Sequence, residues 1–166
     1  MLGLTALGAI HTVISLVAIV TGLWALARDK EIMPGNRLGK LYLLTTLLTA
    51  ATGLVIFEHG GFRIGHAFAI LTLMLVAIGT VAAKSKLFGR ASPYIQAAFY
   101  SSTMLIHMIT GLAETLTRLP PGAPLVTAAN AFIFKDIIIA LVLLTLAGVA
   151  LQFRLIHKRN RAEITR

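Results

Sequence analysis

The sequence contains no cysteine. Disulfides, thiolate metal sites and cysteine nucleophiles are thereby excluded. Charge is scarce as well: 13% of the 166 residues are Asp, Glu, Lys or Arg, against ~25% in soluble domains. Acids are the scarcest, six against fifteen basic residues. There is no Gly-rich phosphate loop, no HExxH and no close H-x-x-x-H pair, and no G-x-S-x-G elbow. Ser101 and Ser102 stand away from the acids, so hydrolytic catalysis has no support. No repeat, low-complexity tract or second soluble domain is visible.

What remains is apolar. Hydrophobic residues make up 57% of the chain, and mean hydropathy is +0.87. A transmembrane helix needs about 20 mostly apolar residues, and five segments qualify: Leu2–Ala27, Leu38–Phe57, Phe62–Ala83, Pro93–Leu116 and Val126–Phe153. The breaks have loop chemistry. "RDKEIMPGN" is charged and holds a Pro-Gly turn, "EHGG" is a tight turn, and "KSKLFGRASP" places Pro93 in the first turn of a helix. "RLPPGAP" has three prolines without N–H donors. The expected fold is an all-α integral membrane protein, a single domain over 1–166 forming one bundle of five transmembrane helices. The apolar run from Leu2 has no preceding basic residues and is too long for a signal-peptide core, so it reads as the first span.

The net charge of +9 would suggest nucleic acid in a soluble protein. Here the basic residues sit in short loops, and no nucleic-acid partner is expected. The first loop, third loop and C-terminal tail hold Arg28, Lys30, Arg37, Lys40, Lys84, Lys86, Arg90, Arg154, Lys158, Arg159, Arg161 and Arg166, 12 of the 15. Arg63, Arg118 and Lys135 fall on the other side. The positive-inside rule puts the N-terminus outside and the C-terminus in the cytoplasm, consistent with five spans. The expected location is a bacterial inner membrane. The cluster "FRLIHKRNR" should also attract anionic lipid.

Polar residues within the spans carry the functional signal. At 1.5 Å per residue, His11, His107 and Asp136 form a deep layer roughly 15 Å below the outer ends of their helices, bordered by Thr46, Thr49 and Thr72. His66, Glu114 and Asn130 form a shallower layer, with Glu58 and His59 on the turn above. Tyr100, Thr103, His107, Thr110, Glu114 and Arg118 recur at i+3 and i+4 and share one helix face. Gly8, His11, Ser15, Ala18 and Gly22 make a face of small residues, which permits close helix approach. Both histidines are expected to point into the bundle. Trp24 and Tyr42 fit an inner aromatic belt, and His157 a solvated tail.

An ionisable residue at the centre of a span costs about 2.5–3.5 kcal/mol for Asp, Lys or Arg, so compensation is expected. The bland compensation is a hydrogen bond across helices, about 0.6 kcal/mol on average. The sharper one is a redox cofactor. Haem b would use His11 and His107 as axial ligands, His66 as an alternate, Gly8 and Gly111 as room for the ring, and Arg63, Arg118 or Lys135 for propionates. Its activity would be electron transfer or redox chemistry, with a quinone or other redox partner. The rival is a non-haem site for a metal such as Zn, Cu or Fe, drawn from His11, His66, His107, Glu114 and Asp136, serving metal binding or transport. A proton relay through Tyr100, His107 and Glu114, with Glu58 and His59 near its outer end, is a third reading. Small-residue faces also suit a homo-oligomer, or an accessory subunit of a larger membrane complex.

The stretch "NRLGKLYLLTTLLTAATGLVI", Asn36 to Ile56, resembles a segment of a bacterial family of small polytopic membrane proteins of unassigned function. His11, an H-R-x-x-G-x-x-Y-like motif at Arg37, Gly39 and Tyr42, and His66 carry the resemblance, which covers Gly8 to about Ala83. Asn36 stands where that family often has histidine. The resemblance implies a helical membrane bundle. The layout is also similar to cytochrome b-like bundles, by fold analogy alone.

Overall fold

The computed structural model describes residues 5–56, 61–85, 87–120, 122–127 and 130–164. It is all-helical: α1 (Ala6–Asp29), α2 (Arg37–Val55), α3 (Ile64–Lys84), α4 (Ser92–Arg118) and α5 (Ala131–Ile164), with a 3₁₀ turn at Gly89–Ala91 before α4. Each start has a local cause. The Thr5 hydroxyl accepts from Gly8 N–H at 3.1 Å and caps α1. Asn36 Oδ1 accepts from Gly39 N–H at 2.7 Å and caps α2. At α3 the side chain of His66 reaches back to the backbone N–H of Arg63, at 3.1 Å, in a capping box. Pro93 sits in the first turn of α4, where its missing N–H costs nothing.

Helices α1 to α4 pack each against the next, and α1 also meets α4, closing a four-helix ring; α5 packs against α4 from outside that ring. The core is Ala25, Ile32, Tyr42, Tyr100 and Met104. Glycines permit it at two crossings. A Cβ on Gly22 would lie 2.7 Å from the Tyr42 ring, and one on Gly79 would lie 2.6 Å from the Tyr100 ring.

The outward faces carry exposed large apolar residues, such as Val13, Leu44, Met74 and Leu144. Four helices, α1, α2, α3 and α5, are long and apolar enough to cross a membrane. Together with these apolar faces, they suit a lipid environment. The polar stripe of α4 lowers its hydropathy, although its 27 residues give a length of about 40 Å.

The basic end of α5 is fixed by two side chains. Gln152 is buried; it accepts from the Ser101 hydroxyl at 3.0 Å and donates to the Lys30 carbonyl at 2.9 Å. Arg159 pairs with the buried carboxylate of Glu31 at 2.7 Å.

Two sequence expectations shift here. The last helix runs from Ala131 to Ile164, later at both ends than the expected 126–153. Its Lys, Arg and Leu residues favour helix, and the Glu31 pairing holds the tail against α1. Before it, Asn130 accepts from Thr127 N–H at 2.6 Å and donates to the Leu125 carbonyl at 2.9 Å. Such local bonds compete with helix. The second shift is Tyr42. It is fully buried in the core, because its hydroxyl finds a partner inside the ring, and it is no part of an interfacial belt. Trp24, 62% exposed, does face outward.

Candidate functional site

Inside the ring, α2 and α4 face each other through hydroxyls and an imidazole. His107 is buried, and its Nε2 lies 3.1 Å from Thr46 Oγ1. Thr46 stands one turn from Tyr42 on the same face of α2. The Tyr42 hydroxyl lies 2.7 Å from Thr103 Oγ1 on α4. Thr103 donates to the Tyr100 carbonyl at 2.7 Å.

A hydroxyl has one hydrogen to give, which orders this chain; the proton positions are assigned from the network. Thr103 gives its hydrogen to the Tyr100 carbonyl, so it accepts from Tyr42. Thr46 bonds Nε2 of His107, as donor or acceptor according to the tautomer of the ring. Two pairs thus lie one turn apart between α2 and α4: His107 with Thr46, and Tyr42 with Thr103, the second ending on the Tyr100 carbonyl. All four side chains are buried.

His11 has a separate partner. Its Nδ1 lies 2.8 Å from Thr52 Oγ1. Thr52 donates to the carbonyls of Leu48 and Thr49 at 2.8 and 3.0 Å, so it accepts Nδ1–H of His11. The bare nitrogen of that ring is Nε2. Gly53 lets the ring approach α2: a Cβ there would lie 3.4 Å from His11 Cε1. Ser15, one turn on, reaches Thr49 at 3.5 Å. His11 is within electrostatic reach of both His107 and Glu114.

The two histidines are not level. Their partners Thr52 and Thr46 are six residues apart on α2, about 9 Å along its axis. Counting depth from Leu2 placed His11 too deep, because α1 begins at Ala6.

The other expected site residues lie elsewhere. His66 is buried, but its Nδ1 accepts from Arg63 N–H as part of the α3 cap, and its ring stacks on Phe62 at 5.4 Å. Arg63 is exposed at that cap. Glu114 is exposed and pairs with Arg118 at 2.6 Å, one turn along α4. Asp136 and Lys135 are exposed on the part of α5 away from the Gln152 clamp, so Asp136 does not join the interior layer. Tyr100 is buried, and its hydroxyl meets Thr80 at 3.1 Å rather than His107. Glu58 and His59 lie outside the described residues.

Tyr42 and Thr52 are the site residues that sequence reasoning missed. Their signal is the recurrence of Tyr42, Thr46, Thr49 and Thr52 on one face of α2.

The arrangement fits a bis-histidine haem poorly. Nε2 of His107 is engaged by Thr46, and the space beside Gly111 is filled by Ile19, whose Cδ1 would lie 3.2 Å from an added Cβ. Among the described residues, no group of three or more His, Asp or Glu side chains is placed to hold a metal ion. The motif residues of α2 have structural duties. Asn36 caps the helix, a Cβ on Gly39 would collide with the Met33 carbonyl, and Tyr42 joins the hydroxyl chain. No protein-family model, curated protein or solved structure matches the chain.

Proposed function

We propose that the protein is an integral membrane protein with five spans, N-terminus outside, in a bacterial inner membrane, and that its interior imidazoles accept and relay protons. The observation that carries this reading is the buried row of His107, Thr46, Tyr42 and Thr103, joined in two hydrogen-bonded pairs between α2 and α4. A proton entering at His107 would pass along such O–H and N–H groups by reversal of their bonds and leave from Thr103 to water, because the Tyr100 carbonyl only accepts a hydrogen bond. Neutral imidazole is suited to enter such a chain, because one ring nitrogen donates while the other accepts. His11, within electrostatic reach, supplies a second acceptor through Nε2. The 12-to-3 asymmetry of Lys and Arg supports the orientation.

The test is proton uptake by proteoliposomes under an imposed potential, read by an enclosed pH dye. Wild-type vesicles should acidify faster than protein-free vesicles. His107→Ala and Thr46→Val should each return the rate to the protein-free level. Equal rates in all vesicles would sink the relay and leave hydrogen bonding between helices as the role of the stripe.

A second reading keeps the redox cofactor, haem b with His11 as ligand. The bare Nε2 of His11, set by Thr52, favours it, since a metal-binding histidine is oriented by a hydrogen bond at its other nitrogen. A second axial ligand from His107 would require release of Thr46. Absorption spectra of the purified protein, oxidised and reduced, decide between the readings. The relay predicts no Soret band; a band lost in His11→Ala would favour haem.

A further inference from the structure

A groove of about 840 Å³ runs between α5 and the neighbouring faces of α1 and α4. Its walls are apolar, with Met104 and Met108 on one side and Leu144, Gly148 and Leu151 on the other. From Leu141 to Lys158 it follows α5 for 18 residues, about 25 Å. Half of a bilayer core is ~15 Å, so the groove is long enough to hold an acyl chain. Its other feature is charge. Lys30, Arg154, His157 and Lys158 line its basic end, and all four are exposed. The nearby acids are engaged elsewhere: Asp29 with Arg28 and Glu31 with Arg159.

We propose that this groove is a binding site for one anionic phospholipid, with an acyl chain along the apolar wall and the phosphate headgroup at Lys30, Arg154 and Lys158. Charge complementarity selects this occupant. A second copy entering in the same orientation would bring its own basic end against this one. Free phosphate would leave the apolar wall uncovered. Basic pockets between membrane helices on the positive side are suited to anionic headgroups. Gly148 opens the site at mid-length, since nothing lies within 4 Å of a Cβ placed there. The proposal is independent of the imidazole chain, which lies inside the ring.

The test is native mass spectrometry of the full chain in mild detergent, titrated with phosphatidylglycerol and with phosphatidylcholine of the same acyl chains. At equal concentration, the first bound lipid should be phosphatidylglycerol by about tenfold or more. The double variant Arg154→Gln with Lys158→Gln should bring that preference to within about twofold. Gly148→Trp should remove the first bound lipid, whereas Leu143→Trp, on an exposed position outside the groove, should not. If Gly148→Trp fails to fold, the charge variant decides alone. Equal retention of the two lipids, an unchanged preference in the charge variant, or a lipid-free dimer would overturn the proposal.

Discussion

Thr46 Oγ1 lies 3.1 Å from Nε2 of His107, one turn along α2 from Tyr42. One small side chain thus links α2 to a histidine on α4, in the interior of a ring whose outside is apolar. Thr46→Val keeps the shape and removes the link. Hydrogen bonds across membrane helices are worth about 0.6 kcal/mol on average and up to about 1.7. A double-mutant cycle of Thr46→Val and His107→Leu should give a coupling in that range, measured by reversible unfolding in micelles. Additive effects would mean the pair is not coupled.

Gly22 and Gly79 stand where rings fill the space of a side chain. Gly79→Ala should destabilise by about 1–3 kcal/mol through overpacking. Gly148→Ala has open space and should be neutral or stabilising by up to about 1 kcal/mol, from helix propensity. Melting temperatures of the two variants in the same detergent check the contrast.

Gln152 ties α5 to α4 through Ser101 and to the end of α1 through the Lys30 carbonyl. Gln152→Leu leaves a buried hydroxyl without its partner, at a cost of about 1–3 kcal/mol. Hydrogen exchange should rise along residues 152–160 and stay unchanged in α2. Uniform exchange across the chain would show that α5 is not held there.

Asn36 caps α2 and donates to Asp29 at 2.9 Å, joining the two ends of the first loop. Asn36→Ala should cost about 1 kcal/mol. Arg37 beside it is exposed, and Arg37→Ala should be within about 0.5 kcal/mol of wild type. Unfolding curves for the two variants test whether this motif is structural. A larger loss at Arg37 would point to a partner for its guanidinium.

The helices were legible because apolar runs and proline-rich or charged breaks are local features. The buried face of α4 was legible for the same reason: Tyr100, Thr103 and His107 recur at helical spacing, and all are buried. What local spacing does not encode is which turn of one helix meets which turn of the next. Counting from Leu2 therefore put His11 level with His107, whereas Thr52 and Thr46 hold them about 9 Å apart along α2. Tyr42 looked interfacial because it stands near a helix end, and only the position of Thr103 across the ring explains its burial. His66 could have been read as a cap from its place in the first turn of α3. Asp136 is an acid on an apolar helix, and its exposure follows from α5 packing outside the ring.

The most direct measurement on the interior site is the ¹⁵N spectrum of histidine-labelled protein in bilayers at neutral pH, assigned with His11→Ala and His107→Ala. Nitrogen shifts distinguish protonated from bare ring nitrogens, and thus the two neutral tautomers. The Thr52 bonds predict Nδ1–H for His11, and a relay entering at His107 predicts Nε2–H there, facing Thr46, with both rings metal-free. Nε2–H at His11, a bare Nε2 at His107, or a metal-shifted signal at either ring would contradict it.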